Sequence, residues 1–362
     1  MIPLVKTYLP PREILMPKIE EVLYSGYIGQ GQVVEIFERK FEQFIGGGYT
    51  LSLNSGTAAL HIALILAGVE AGDEVVSTAL TAEPTNVAIK MLGAKVVWAD
   101  IDYATGNIST EAIENAISLK TKAIIVVDYA GYSVDVEGIN EISKKYGLPV
   151  IEDAAHALGT IHNGRKSGNN FPFTVFSFQA IKHLTTVDGG ALQIQDRELY
   201  ERAKLIRWFG LSKDLNRLDN NIGLQGYKYH MNNVNAAIGV VQLDYVDEVL
   251  KGYRTIGSYL DINLINVNGI ELIKQYPNSQ SSYWLYPLKV ERRDDFIKMM
   301  MDNGITASVL HKRNDWHSYL NDNPANLPNL DLFYSKLVHI PCGWWVTIED
   351  CNKMIELIRK GW

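Results

Sequence analysis

Between residues 51 and 153 the sequence repeats one pattern: a short apolar run, then a stretch of helical periodicity. Leu51-Ser-Leu53 leads into Ala58–Ala67, Glu74–Ser77 into Asn86–Leu92, and Ala94–Ala99 into Ser109–Ser118. Lys122–Val127 is a continuous apolar strand run, followed by a helix over Val136–Tyr146 that stops at Gly147 and a strand over Pro149–Glu152. Strands that alternate with helices predict a mostly parallel sheet covered on both faces, because each crossover helix must pack back on the sheet. Near residue 170 the rhythm changes. Phe173–Phe178 and Gly190–Gln195 read as strands around a long turn, Glu198–Trp208 as a helix, and Asn233–Val249 as one long helix. The last third reads as a smaller α+β unit with a strand over Trp284–Val290, a helix over Arg293–Asn303, then Thr306–Leu310, while Asn268–Ser281 reads as irregular. The predicted organisation is α/β, with a large domain over 1–248 and a small one over 249–362.

Composition narrows the class of function. The 362 residues carry a net charge of −7, which disfavours a protein that coats nucleic acid. Hydrophobic residues at 47% and charged residues at 21% are those of a globular chain with a large core. Two cysteines, Cys342 and Cys351, make neither a disulfide framework nor a zinc site, so no metal is expected. The N-terminus lacks the basic and apolar regions of a signal peptide, and the longest apolar stretch, Ala58–Val69, is too short to span a bilayer. The expectation is a cytoplasmic protein with no membrane or nucleic-acid partner.

Three polar clusters fall where strands end, the edge at which open α/β sheets bind ligands. Asn54-Ser-Gly-Thr-Ala-Ala59 opens a helix, so it is either a phosphate cradle around Gly56 and Thr57 or an ordinary N-cap at Ser55 or Thr57. Glu152-Asp-Ala-Ala-His156 follows a buried strand, so Asp153 either meets a protonated heterocycle nitrogen or caps the next segment. His156 can reach the same ligand or serve as a satisfied structural group. Lys182 lies between an apolar strand that ends near Ser177 and a hydroxyl- and glycine-rich turn. There it is either an activated amine or a solvated loop lysine. Together, in this order, the three supply what pyridoxal 5′-phosphate (PLP) needs: a phosphate cradle, a carboxylate for the pyridinium nitrogen, and a lysine for the Schiff base.

With Asn54-Ser-Gly-Thr-Ala-Ala-Leu60, Ser177-Phe-Gln-Ala-Ile-Lys182 and Thr185-Thr-Val-Asp-Gly-Gly190, the chain resembles the DegT/DnrJ/EryC1/StrS sugar aminotransferases nearly end to end. The resemblance implies the fold type I (aspartate aminotransferase-like) architecture. It also implies Lys182 as the Schiff-base lysine and proton carrier, Asp153 on the ring nitrogen, and His156 near the phenolic oxygen. Ser177 and the amides of Gly56 and Thr57 would hold the phosphate. Gly226-Tyr-Lys-Tyr-His-Met231 matches a loop that crosses to a partner subunit, where Lys228 adds a phosphate contact, so a homodimer with shared sites is implied.

The implied substrates are an amino-acid donor, glutamate by preference, and a nucleotide-diphosphate keto-sugar, 4-keto-6-deoxy by preference. The chain departs from the family at Ala82, where relatives carry a ring-stacking aromatic residue. It departs again at His311-Lys-Arg, where relatives carry a His-Tyr pair. Lys312 and Arg313 there are either diphosphate ligands or an exposed basic pair. Two other functions compete: a sugar dehydratase, which would replace the lysine by histidine, and a non-catalytic sensor on the same fold.

Overall fold

The computed structural model describes residues 1–322 and 325–362. Its centre is a seven-stranded sheet. In spatial order the strands are Tyr49–Leu53, Gly190–Ile194, Phe173–Ser177, Val150–Asp153, Thr121–Val127, Glu74–Ser77 and Lys95–Trp98. The five strands from Phe173–Ser177 to Lys95–Trp98 pair in parallel. The hairpin-like Phe173–Ser177 and Gly190–Ile194, and then Tyr49–Leu53, pair antiparallel. The sheet is buried on both faces, which is why its strands read as unbroken apolar runs rather than as alternations.

Register decides what meets at the carboxyl edge. Val127 stands beside Asp153, Asp153 beside Val175, and Ser177 beside Gly190. The helix Gly56–Leu66 leaves the end of Tyr49–Leu53 at the same edge, with the Ser55 hydroxyl capping it by accepting from Ala58 N–H at 3.1 Å.

Several elements differ from the sequence pattern. The long helix expected over Asn233–Val249 is two helices, Asn233–Leu243 and Val246–Leu264, joined at Asp244 and Tyr245. Packing breaks it. Ala236 and the start of the second helix, at Val246 and Leu250, join the core formed with Phe37, Phe41 and Phe178. Ile256, Leu260 and Leu264, further along, enter the C-terminal core instead. Two helices that the pattern did not announce, Arg12–Tyr24 and Gln32–Ile45, precede the first strand.

The C-terminal unit has three antiparallel strands, Ile270–Leu272, Tyr286–Val290 and Leu337–Ile340, flanked by the helices Arg293–Asp302, Pro328–Lys336 and Ile348–Lys360. Thr306–Leu310 forms only a single bridge, Ser308 to His339. The stretch expected to be irregular holds a strand at Ile270–Leu272. The first residues of the chain, expected in the large domain, lie with the small unit. Ile2 bridges Ile305, and Leu4 is buried in the C-terminal core.

One residue laces the two units together beside the sheet edge. Asn314, fully buried, donates its backbone N–H to Ala79 O at 2.9 Å and its side-chain amide to Thr81 O at 2.8 Å. Its Oδ1 accepts from Asn86 at 2.9 Å. Replacing Asn314 with alanine leaves the buried Thr81 carbonyl without this donor and the Asn86 amide with only its bond to Thr78 O at 3.0 Å, at a cost of about 1–3 kcal/mol. The expected result is a lowered unfolding midpoint in urea with an unchanged m-value. Wild-type stability would refute this role.

Candidate active site

The carboxyl edge, the start of Gly56–Leu66, Thr81–Ala82 with the start of the helix Glu83–Met91, and the loop around His311 enclose a cavity of about 370 Å³. Gly56, Thr57, Asp153, His156, Ser177 and Lys182 all line it. These residues, 126 positions apart at the extremes of the sequence numbering (182 − 56), meet because the strands Tyr49–Leu53, Val150–Asp153 and Phe173–Ser177 all end at one edge.

Adjacent carboxylates at 152 and 153 have separate fates, because successive strand residues face opposite sides of the sheet. Glu152 points away from the cavity and accepts from Thr174 Oγ1 at 2.6 Å and from Gly168 N–H at 3.2 Å. Asp153 points into the cavity. Its Oδ2 accepts from Thr85 Oγ1 at 2.7 Å, and its Oδ1 from Ala155 N–H at 3.1 Å. Thr85 is in turn linked to Thr81 at 2.9 Å. Burial raises the pKa of Asp153, opposed by these hydrogen bonds and by Lys182. A buried carboxylate poised this way gains from a cationic ligand.

Burial also lowers Lys182 from 10.5 to about 7, against the pull of Asp153. The amine is therefore available as a base near neutral pH. The linkage has a definite sign. Between pH 7 and 10.5 the unfolded chain holds this proton more firmly than the folded one, so stability rises with pH in that window. Replacing Lys182 with methionine should stabilise the cofactor-free protein, more at pH 6 than at pH 10. Equal gains at both pH values in thermal unfolding would contradict the buried amine.

His156 is buried and its pKa lies well below the usual histidine range, first through burial and then through the charge of Lys182. Its Nδ1 is buried without a hydrogen-bond partner. His311 also lines the cavity. Burial holds its pKa at about 4, and its Nε2 is buried and unpartnered.

At the helix start, a Cβ on Gly56 would sit 3.2 Å from Ser177 Cβ, and one on Gly190 would sit 2.5 Å from Gly56 N. The two glycines let the strand end press against the helix N-terminus, whose first N–H groups have no intrahelical partner. Gly190→Ala has only backbone to push against, so a loss of about 1–3 kcal/mol of stability is expected. Weaker retention of PLP on dialysis should accompany it, and unchanged retention would show that the cradle does not depend on this approach.

The donor set fits PLP. The helix N-terminus with Ser177 suits a phosphate, Asp153 a protonated ring nitrogen, the orphaned Nδ1 of His156 a ring oxygen, and the Lys182 amine a carbonyl carbon.

Three expected ligands lie elsewhere. Lys228 is exposed and outside the cavity, on a segment tied to Asn54 through the N–H to Tyr229 O bond at 2.7 Å. Arg313 is not an open phosphate ligand in this chain. It is buried and bonded to Asp315 at 2.7 and 3.0 Å and to Asp331, because its guanidinium anchors the loop. Lys312 is exposed beside His311. Ala82 lines the cavity, and the only aromatic rings among the described lining residues are those of His156 and His311.

Sequence reasoning missed Thr85, whose only signal is a hydroxyl one helical turn after Thr81. It also gave no role to His311, which reaches the cavity from the other unit.

The model of the DegT/DnrJ/EryC1/StrS aminotransferase family matches residues 12–359. The chain is 39% identical to AtS13 from Actinomadura melliaura, with a TM-score of 0.97 over 100% of this chain and 99% of that one. It is 36% identical to the sugar aminotransferase CalS13 from Micromonospora echinospora, with a TM-score of 0.96 over all of both chains. It is 31% identical to the spore coat polysaccharide biosynthesis protein SpsC of Bacillus subtilis, over 94% of this chain and 92% of SpsC.

Proposed function

The chain belongs to the DegT/DnrJ/EryC1/StrS family and is a PLP-dependent sugar aminotransferase of fold type I, and from that premise we propose its substrates and the roles of its residues. The amino group comes from an amino acid, L-glutamate by preference, and goes to a nucleotide-diphosphate keto-deoxysugar, with the C4 ketone of a 6-deoxy sugar as the preferred acceptor. The observation that carries the residue roles is the convergence of the Lys182 amine, the Asp153 carboxylate and the Gly56–Thr57 helix start in one cavity.

When bound, PLP supplies an electron sink for the carbon that gains or loses the amino group. The protein supplies the rest. Asp153, oriented by Thr85, keeps a proton on the ring nitrogen. Lys182 Nζ would hold and move the proton of the donor's amino-bearing carbon. The second half runs in reverse on the sugar. The neutral His156 offers its free nitrogen to the ring oxygen. Ser177 and the helix amides hold the phosphate and so fix the register of the ring. Lys312, exposed beside His311, suits a sugar diphosphate, whereas Arg313 is already occupied by carboxylates.

The chain with PLP should show a visible absorbance band that L-glutamate shifts, and a panel of keto-sugar nucleotides should restore it. Restoration by 3-keto sugars alone would overturn the C4 preference, and no shift with any amino acid would overturn the donor assignment.

The exposed position of Lys228 supports a homodimer in which this lysine completes the partner's site. Mixing Lys182→Ala with Lys228→Ala subunits should then regain activity, since a hybrid dimer has one site with both lysines. Absence of complementation in refolded mixtures would count against shared sites.

A further inference from the structure

Nothing in the roles above uses Trp284, although the reactive amine stands over it. Lys182 Nζ stands over its indole, 3.8 Å from the ring centroid. Trp284 lies just before the strand Tyr286–Val290 and is fully buried, so the smaller unit supplies it. Its Nε1–H donates to the carbonyl of Ile181 at 2.9 Å, which ties the indole to the backbone beside Lys182. The imidazole of His156 stacks on it with centroids 3.9 Å apart and planes 19° apart, so the indole is held against tilting.

The titratable groups around Lys182 are few. Those charge-coupled to it are Asp153 from the sheet edge, His156 from the turn after it, His311 from the 311–316 loop and the neighbouring His183, while Glu83 and Asp188 line the same cavity without such coupling. Burial keeps the three imidazoles neutral near pH 7, so Asp153 is the only one that offers the ammonium a charge. Yet Asp153 is the carboxylate assigned to the ring nitrogen. An ammonium drawn onto it would compete with the cofactor. A cation over the electron-rich face of an indole is attracted without any proton acceptor nearby, and the attraction is strongest where water is excluded.

We propose that the indole face of Trp284 is the rest for the Lys182 amine whenever that amine is free of the cofactor, which makes Trp284 a positioning residue for amino transfer. The amine stays over the cavity, in line to return the proton it has taken, and does not swing onto Asp153. This rests on the reading of Lys182 as the proton carrier.

The test is made first on the cofactor-free protein. The Lys182 resonance is followed against pH by NMR with 13C-labelled lysine and assigned with Lys182→Ala. Trp284→Leu keeps the site apolar but removes the ring face, so the ammonium loses its support and the pKa of Lys182 should fall by about one unit, a tenfold change in the protonation equilibrium. Trp284→Phe keeps a ring face and should restore most of the shift.

If the leucine variant does not fold, incorporation of fluorinated tryptophan weakens the ring's negative face at nearly constant shape and should lower the pKa in steps with fluorine number. An unchanged or raised pKa in Trp284→Leu, or no response to fluorination, overturns the proposal. In the loaded enzyme the pH profile of kcat should shift by the same amount, with the KM for the amino donor little changed. Failure of the underlying reading has another signature: PLP bound to the wild-type protein without attachment to Lys182.

Discussion

Replacing Lys182 with alanine is expected to lower amino transfer by at least about 10³-fold while PLP still binds. General acid–base groups supply roughly 10²–10⁴-fold, and in the proposed role one amine both attaches the cofactor and moves the proton. Lys182→Arg should not rescue the reaction, because a guanidinium stays protonated and cannot act as a base at neutral pH. Single-turnover rates with L-glutamate provide the check. Wild-type rates in the alanine variant would remove Lys182 from the reaction. The cost of burying this amine adds an internal control, since Lys182→Met should stabilise the cofactor-free protein most below about pH 7.

Asp153→Asn has the second largest expected effect, and it acts on activity and stability in opposite directions. Asparagine keeps the contact to Thr85 but cannot hold a ring nitrogen proton by charge, so a loss of about 10²-fold or more in turnover is expected. In the cofactor-free protein the carboxylate is a liability, because burial raises its pKa above 3.8. The folded state then binds the proton more firmly than the unfolded one, and stability falls as pH rises above that value. Asp153→Asn should therefore unfold at a higher temperature than wild type at pH 7 and show no such gain near pH 3. Lower stability at pH 7 would mean that the carboxylate is already compensated within the protein. Unchanged turnover would remove it from the reaction.

Much of this was legible before any coordinates. The apolar runs at 75–76, 123–127 and 150–151 name parallel, buried strands, because only strands covered on both sides can be apolar at consecutive positions. Gly147 marks its helix end through a left-handed φ of +65°. The motif around Ser55 could be placed at a helix start from its cap alone.

Where the sequence allowed two roles, geometry decided between them. Glu152 and Asp153 are chemically alike, and the pleat of the strand sends one to Thr174 and the other to the cavity. Lys312 and Arg313 look like one basic pair, and only the fold shows that Arg313 is bound to Asp315 and Asp331.

The sequence alone determined the parallel core, the family and the cofactor, since those depend on local periodicity and on short motifs. Tertiary structure alone decided the break at Asp244–Tyr245, the return of Ile2 and Leu4 to the C-terminal unit, and the arrival of His311, Asn314 and Trp284 at the sheet edge. Each of these is a contact between residues far apart in the chain. Local propensity carries no information about such a contact, because the free energy that selects it appears only when both surfaces leave water together.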